Sequence, residues 1–218
     1  MNKGTAVPSY RQRIGYQAGL LGGIALLASA LLSIGDVRTR SDIAARQAED
    51  LQASLSQVVP EEIHDNRLLD DTLTATLPDG SPVLVYQARQ GDQVAAVAFQ
   101  VTGYGYAGAI QIVMGINREG EILGVRVVSH AETPGLGDKI EEAKSDWITK
   151  FTGLSLLNTP EKNWAVKKDG GQFDQFSGAT ITPRGVVKAV KMGMDFFKAN
   201  QGKLLAVAVH ETAEPAAQ

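Results

Sequence analysis

The residues with the most chemistry to offer run from Asp174 to Thr182, Asp-Gln-Phe-Ser-Gly-Ala-Thr-Ile-Thr. Ser177, Gly178 and Ala179 are small enough for the backbone to come close to a ligand, and the hydroxyls at 177, 180 and 182 donate hydrogen bonds. A helix starting directly afterwards leaves free N–H groups that attract an anion such as phosphate. Thr180 could also present its oxygen for esterification. An ordinary capped helix start has the same composition, and Ser-Gly-Ala-Thr alone favours that plainer reading. A second stretch, His130-Ala131-Glu132-Thr133-Pro134-Gly135-Leu136-Gly137, is punctuated by Pro-Gly, which turns the chain and makes positive φ available at glycine. Such a loop suits a position beside a flat ring; it also serves as a plain strand-to-helix connection.

Other candidates carry less. Gly103-Tyr104-Gly105-Tyr106-Ala107-Gly108 satisfies G-x-G-x-x-G and follows a strand. It leads into a second strand, however, so no helix N-terminus receives a pyrophosphate, and a Rossmann site is rejected. A glycine-rich strand junction is the plainer reading; Tyr104 or Tyr106 walling a ligand pocket is the other. His64, His130 and His210 are scattered without metal-site spacing, so no metal is expected. Trp147 and Trp164 read as core or subunit contacts. The absence of cysteine excludes disulfides, thiolate metal sites, cysteine nucleophiles and iron–sulfur ligation. A net charge of −3 gives no broad basic surface, which argues against a nucleic-acid partner. No general base or nucleophile set is visible, so any redox chemistry must come from a bound cofactor.

The 218 residues hold about one medium domain plus extras. Ile14–Ile34 is uncharged and rich in Leu, Ala, Gly and Ile; as a helix it spans about 30 Å, the thickness of a hydrocarbon core. Lys3, Arg11 and Arg13 precede it without an acid, so the positive-inside bias puts residues 1–13 in the cytoplasm and everything after 35 outside. Ala28-Ser29-Ala30 would fit a signal-peptide cleavage site, but the apolar run continues through Leu31, Leu32 and Ile34, beyond the usual length of such a segment. Gly15, Gly19 and Gly23 share one helix face, consistent with a partner-packing seam or with the general abundance of glycine in membrane helices.

Residues 35–63 form a stalk, with a polar helix over 38–58 that carries Ile43, Ala44, Leu51, Leu55 and Val58 as a thin apolar stripe and stops at Pro60. A domain follows over 64–210, with a tail at 211–218. Within it, 73–77, 82–88, 93–102, 110–117 and 122–129 have strand character, the last two forming a hairpin through Arg118-Glu119-Gly120. Two helices are expected. One covers 138–151, with Ile140, Ala143, Trp147 and Phe151 on one side. The other runs from Pro183, behind an N-cap Thr182, to about Asn200, with Val186, Val190, Met194 and Phe197 inward. The class is α+β: one transmembrane helix followed by a mixed helix and antiparallel-sheet domain.

Taken together, the two loop motifs carry a resemblance. Asp174-x-x-Ser177-Gly178-Ala179-Thr180 resembles the acceptor site of the FMN-binding domain found in the G subunit of the Rnf ion-translocating oxidoreductase and in the C subunit of the sodium-pumping NADH:quinone reductase. Glu132-Thr133-Pro134-Gly135-Leu136-Gly137 resembles a loop of the same domain. Position 175 is Gln where the acceptor pattern often has a small residue. The likeness covers roughly residues 85–200, and the anchor and chain length favour the first of these families over the second.

The resemblance implies FMN joined through a phosphoester to Thr180 by a flavin transferase that uses FAD and Mg²⁺, with Asp174 in the transferase's recognition sequence. It implies a cofactor site formed by Glu132, Thr133, Gly135 and Leu136 together with Ser177, Gly178, Ala179 and Thr182. It also implies an electron relay in the bacterial inner membrane, anchored in lipid, with its domain in the periplasm. Such a relay works among other membrane and peripheral subunits, passing electrons between ferredoxin and NAD while Na⁺ or H⁺ moves elsewhere. The chain would then belong to a redox-driven translocase without turning over a substrate of its own. A membrane-anchored flavin sensor or maturation factor, and a cofactor-free scaffold, are the readings of other classes.

Overall fold

Alternating apolar residues between positions 72 and 129 build a five-stranded antiparallel meander, and its two faces are buried by different helices. The computed structural model describes residues 14–206. The strands are β1 (Thr72–Thr76), β2 (Pro82–Gln90), β3 (Gln93–Tyr104), β4 (Ala109–Asn117) and β5 (Ile122–Ser129), and they lie in the sheet in chain order. The helices are α1 (Ile14–Val58) and α2 (Ile181–Leu204). The class is α+β, as the alternation predicts.

Because successive strand residues point to opposite faces, each central strand supplies two cores. Val97, Phe99 and Val101 of β3 and Ile110, Ile112 and Met114 of β4 join Val186, Val190, Met194 and Phe197 of α2 in the larger one. These four α2 residues recur every three or four positions, which gathers them on one helix face. On the other face Ala96, Ala98 and Val113 meet Leu55, Val58 and Val59. Small residues there allow close approach: a Cβ on Gly115 of β4 would stand 2.1 Å from the Val58 carbonyl oxygen, so only glycine fits.

The chain divides into two compact units, one ending at Asp50 and one beginning at Leu51. In the first, Ile14–Ser33 is long and apolar enough to cross a membrane. Its large side chains, among them Leu26, Leu27, Leu31 and Leu32, are exposed. Helix α1 is continuous over 45 residues, whereas the sequence pattern predicts an anchor and a separate stalk helix from 38. No proline falls at the expected joint to break the backbone ladder. In the second unit, Leu55 and Val58 are wholly buried, so the end of the expected stalk belongs to the domain core. Pro60 is extended, with φ −60° and ψ 138°, and the helix stops before it. The side chains of Ile43 and Ala44, the basic residues Lys3, Arg11 and Arg13, His210 and the tail lie outside the described residues.

The expected helix over 138–151 is corrected. Two short 3₁₀ turns stand there, Asp138–Ile140 and Asp146–Phe151, separated by extended backbone at Ser145, whose hydroxyl accepts a hydrogen bond from the Trp147 N–H at 3.2 Å. Ser145 therefore restarts the chain where a continuous helix would need helical dihedrals. Ile140, Trp147 and Phe151 are buried as expected, but Ala143 is exposed.

Candidate functional site

The stretch from Phe173 to Thr182 is pinned at both ends and open in its middle. Phe173 and Phe176 are buried in an aromatic cluster, Phe173 stacked on Phe151 at 4.4 Å and Phe176 edge-on to Trp147 at 5.2 Å. The Trp147 indole N–H donates to the Asp174 carbonyl at 2.7 Å. Gly178 then turns the chain with φ +80°, and the Ala179 N–H donates back to the Phe176 carbonyl at 3.1 Å. A positive φ at the third position of such a turn is where glycine is required. Thr180 follows, and α2 begins at Ile181.

The N-cap of α2 is Thr180, not the expected Thr182, and its hydroxyl makes no capping bond. Thr182 is fully buried and donates its hydroxyl hydrogen to Glu132 Oε2 at 2.5 Å. Its oxygen is thus claimed by a carboxylate 50 residues upstream, and the capping assignment is corrected for that reason. The first N–H groups of α2 have no intrahelical acceptor, and the first turn carries no acid, so this end retains the attraction for anions expected of a helix start.

Glu132 organises the opposite wall. Its carboxylate is buried; Oε1 accepts from the Ala107 N–H at 2.9 Å while Oε2 accepts from Thr182. Its own N–H donates to His130 Nδ1 at 3.0 Å, and His130 Nε2 lies 2.8 Å from Glu141. One side chain therefore joins three segments: the β3–β4 hairpin tip, the loop after β5, and the first turn of α2. Beyond it the Pro-Gly turn closes through Leu136 and Gly137 N–H groups donating to the Thr133 carbonyl, each at 3.1 Å.

Between these walls lies an open cleft of about 540 Å³, lined by Tyr106, Glu132, Thr133, Leu136, Gly137, Gly178, Ala179, Thr180 and Ile181. That volume is within the range of small-molecule and cofactor sites. Of the residues expected from the sequence, Glu132, Thr133, Leu136, Gly178, Ala179 and Thr180 are brought together here. Gly135, Ser177 and Thr182 do not line it, the first two being exposed in their turns and the third buried beneath. Asp174 stands on the outer surface, held by Lys167 at 2.5 Å and Lys150 at 3.0 Å. Those two hydrogen bonds, that from Lys167 first, hold its carboxyl below the usual carboxylate range. Arg184, one turn into α2, pairs bidentately with Asp169 at 2.5 and 2.6 Å.

The donor set fits FMN. An uncommitted hydroxyl and free N–H groups at a helix start suit a phosphoryl group, while Tyr106, Leu136 and Ile181, each more than two-fifths exposed, offer apolar contact to a flat ring. Residues 105–195 match the family described as an FMN-binding domain. The chain is 53% identical over 190 residues to the G subunit of the ion-translocating oxidoreductase complex of Cereibacter sphaeroides, covering 87% of each chain. It is 47% identical over 190 residues to the protein of that name from Stutzerimonas stutzeri, covering 87% of this chain and 83% of that one. The chain belongs to the family of G subunits of ion-translocating oxidoreductase complexes. Among solved structures, NqrC of Shewanella oneidensis is similar with a TM-score of 0.45 and 23% identity, over 67% of this chain and 73% of that one.

In this member of the G subunit family, sequence reasoning missed Gly137 and Ile181 as lining residues and did not decide between Tyr104 and Tyr106. It also missed the aromatic cluster under residues 173–176. Pairs such as Phe151 and Phe173 are too distant in the chain for periodicity to reveal. The Gly103–Gly108 motif did carry a usable signal. A Cβ on Gly105 would stand 2.3 Å from Glu132 Oε1, so that glycine marks the close approach of the hairpin tip to the buried carboxylate.

Proposed function

We propose that this chain carries FMN through a phosphoester on Thr180 and relays electrons as one subunit of a membrane-bound, ion-translocating oxidoreductase complex. The single observation that carries the attachment site is the contrast between two threonines. Thr180 lines the cleft at the α2 N-terminus and its hydroxyl does not cap the helix, whereas the Thr182 hydroxyl is buried and committed to Glu132. Only the former is presented to an incoming phosphoryl group. Formation of the ester joins Thr180 Oγ1 to the FMN phosphorus and releases the AMP half of FAD, with the hydroxyl proton passing to the leaving group or to solvent.

When bound, FMN supplies one- and two-electron transfer. The chain's own residues do the rest. The α2 N-terminus would hold the phosphate, and the Pro-Gly loop and hairpin tip would hold the ring, while Glu132 bonds the hairpin tip through the Ala107 N–H and α2 through Thr182. A covalent tether also prevents loss of the cofactor by dilution outside the cytoplasm.

High identity to relatives named as G subunits supports the complex as the setting, with other subunits as electron donor and acceptor; ferredoxin and NAD as the terminal couple rest on the family resemblance alone. The apolar start of α1 supports a single-pass anchor in the inner membrane. The basic residues ahead of it support a cytoplasmic N-terminus and a periplasmic domain, where the half-exposed Asp174 would meet a flavin transferase.

The test is intact mass of the full chain coexpressed with a flavin transferase. Wild type gains one FMN phosphodiester equivalent, Thr180→Ala gains none, and Thr182→Ala remains flavinylated. An adduct lost only from the Thr182 variant would move the attachment two residues along.

A further inference from the structure

Two tyrosines stand on the hairpin between β3 and β4, both exposed to solvent, Tyr104 by 72% and Tyr106 by 77%. Only Tyr106 lines the cleft. Exposure alone does not separate them, since single exposed apolar side chains are common; what singles out Tyr106 is its place in the cleft lining. The tip is fixed: the Gly105 N–H donates to the Gly108 carbonyl at 2.8 Å, and the neighbouring Ala107 N–H donates to the buried Glu132 carboxylate at 2.9 Å. The base of the hairpin is fixed as well, because Gly185 of α2 packs so closely that a Cβ there would stand 2.1 Å from the Tyr104 carbonyl oxygen. Tyr106 therefore has a rigid backbone, an exposed side chain and a cleft beside it.

We infer that Tyr106 is the side chain that lies against the flavin ring, and that it sets the ring's electronic environment and its access to water. Aromatic rings prefer offset or edge-on contact at about 4.5–7 Å between centroids, a spacing a ring on a short hairpin tip can reach without backbone movement. Glu132 acts through this tip as a positioning residue, since its Oε1 holds the amide adjoining Tyr106. Tyr104, on the same hairpin and nearly as exposed, does not line the cleft and serves as the internal control.

The inference rests on FMN occupying this cleft, and the experiment separates the two. The full chain is coexpressed with a flavin transferase as wild type, Tyr106→Leu, Tyr106→Phe and Tyr104→Leu. Each is read for attached flavin by intact mass, for flavin emission and for visible circular dichroism, native and then denatured. A tyrosine in contact quenches emission by lending an electron to the excited ring, which returns it. Tyr106→Leu is expected to remain flavinylated while native emission rises several-fold and the flavin dichroism falls. Tyr106→Phe raises emission but keeps the dichroism, because the flat contact persists without the electron donor. Tyr104→Leu matches wild type, and all variants emit alike once denatured.

Unchanged emission in Tyr106→Leu, or an equal rise in Tyr104→Leu, overturns the role of Tyr106. Failure of Tyr106→Leu to gain flavin while Tyr104→Leu gains it also overturns the role, moving Tyr106 to maturation. A wild type without covalent flavin instead sinks the reading on which the inference depends.

Discussion

The rim of the cleft and its floor contain the same residue type two positions apart, and they treat it oppositely. On the rim, from Ser177 to Thr180, side chains are exposed or half-exposed and the backbone is held by bonds within a few residues, such as Ala179 to Phe176. On the floor, Thr182 and Glu132 are buried and their bond spans 50 residues. The rim presents a hydroxyl to solvent; the floor withdraws one from it. The proposed attachment calls for both properties, an accessible oxygen and a support that does not move when the oxygen is used. The difference predicts that floor substitutions act on stability and rim substitutions on attachment.

The largest stability effect is expected at Glu132. Replacing it by Ala strands the fully buried Thr182 hydroxyl and the Ala107 N–H, and an unsatisfied buried donor costs about 1–3 kcal/mol. We expect a loss of about 2–4 kcal/mol in urea unfolding, less than the full sum because Ala107 is exposed enough to reach water. Glu132→Gln should recover most of it, since the Thr182 hydroxyl can turn to accept an amide N–H while the amide oxygen serves Ala107. A midpoint for Glu132→Ala equal to wild type would remove the distinction between floor and rim. Next comes Thr182→Val, nearly equal in shape, which leaves one carboxylate oxygen without its donor. A loss of about 1–2 kcal/mol is expected, with attachment at Thr180 intact by mass. Loss of the adduct in a stable Thr182→Val protein would show that the floor directs the chemistry as well as supporting it.

This same division explains what the sequence discloses. The strands are legible because alternation is local: Ile110, Ile112 and Met114 face one way whatever lies elsewhere. The buried face of α2 is legible through Val186, Val190, Met194 and Phe197 for the same reason. The loop motifs are legible as chemistry, since small residues and hydroxyls before a helix suit an anion. Thr182 is not, because Pro183 behind a threonine reads locally as a helix start, and the carboxylate that takes its hydroxyl lies 50 positions away. The 138–151 segment misleads similarly. Trp147 and Phe151 are four apart as in a helix, but the extended Ser145 cap and the aromatic partners Phe173 and Phe176 seat them on a single short 3₁₀ segment. A bond across 50 positions decides Thr182, and at 138–151 a local cap acts together with distant aromatic partners.

The smallest stability effect belongs to the surface beside the rim, at Asp174. Its pairs with Lys167 and Lys150 are exposed, where screening and side-chain entropy leave little net stabilisation. Asp174→Asn should therefore unfold with wild type at neutral pH and physiological salt, while its adduct yield falls if this carboxylate guides the transferase. Its pH dependence has a definite sign. The carboxyl is held below its ordinary range in the folded chain by Lys167 and Lys150, so what stability it adds is complete above the unfolded value. That contribution fades as pH falls through the lowered folded value. At low salt, wild type should lie slightly above Asp174→Asn at neutral pH, and the two curves should converge in acid, below the ordinary carboxylate range. A gap that widens with acid, or one as large as that of Thr182→Val at neutral pH, would place Asp174 with the floor and break the comparison.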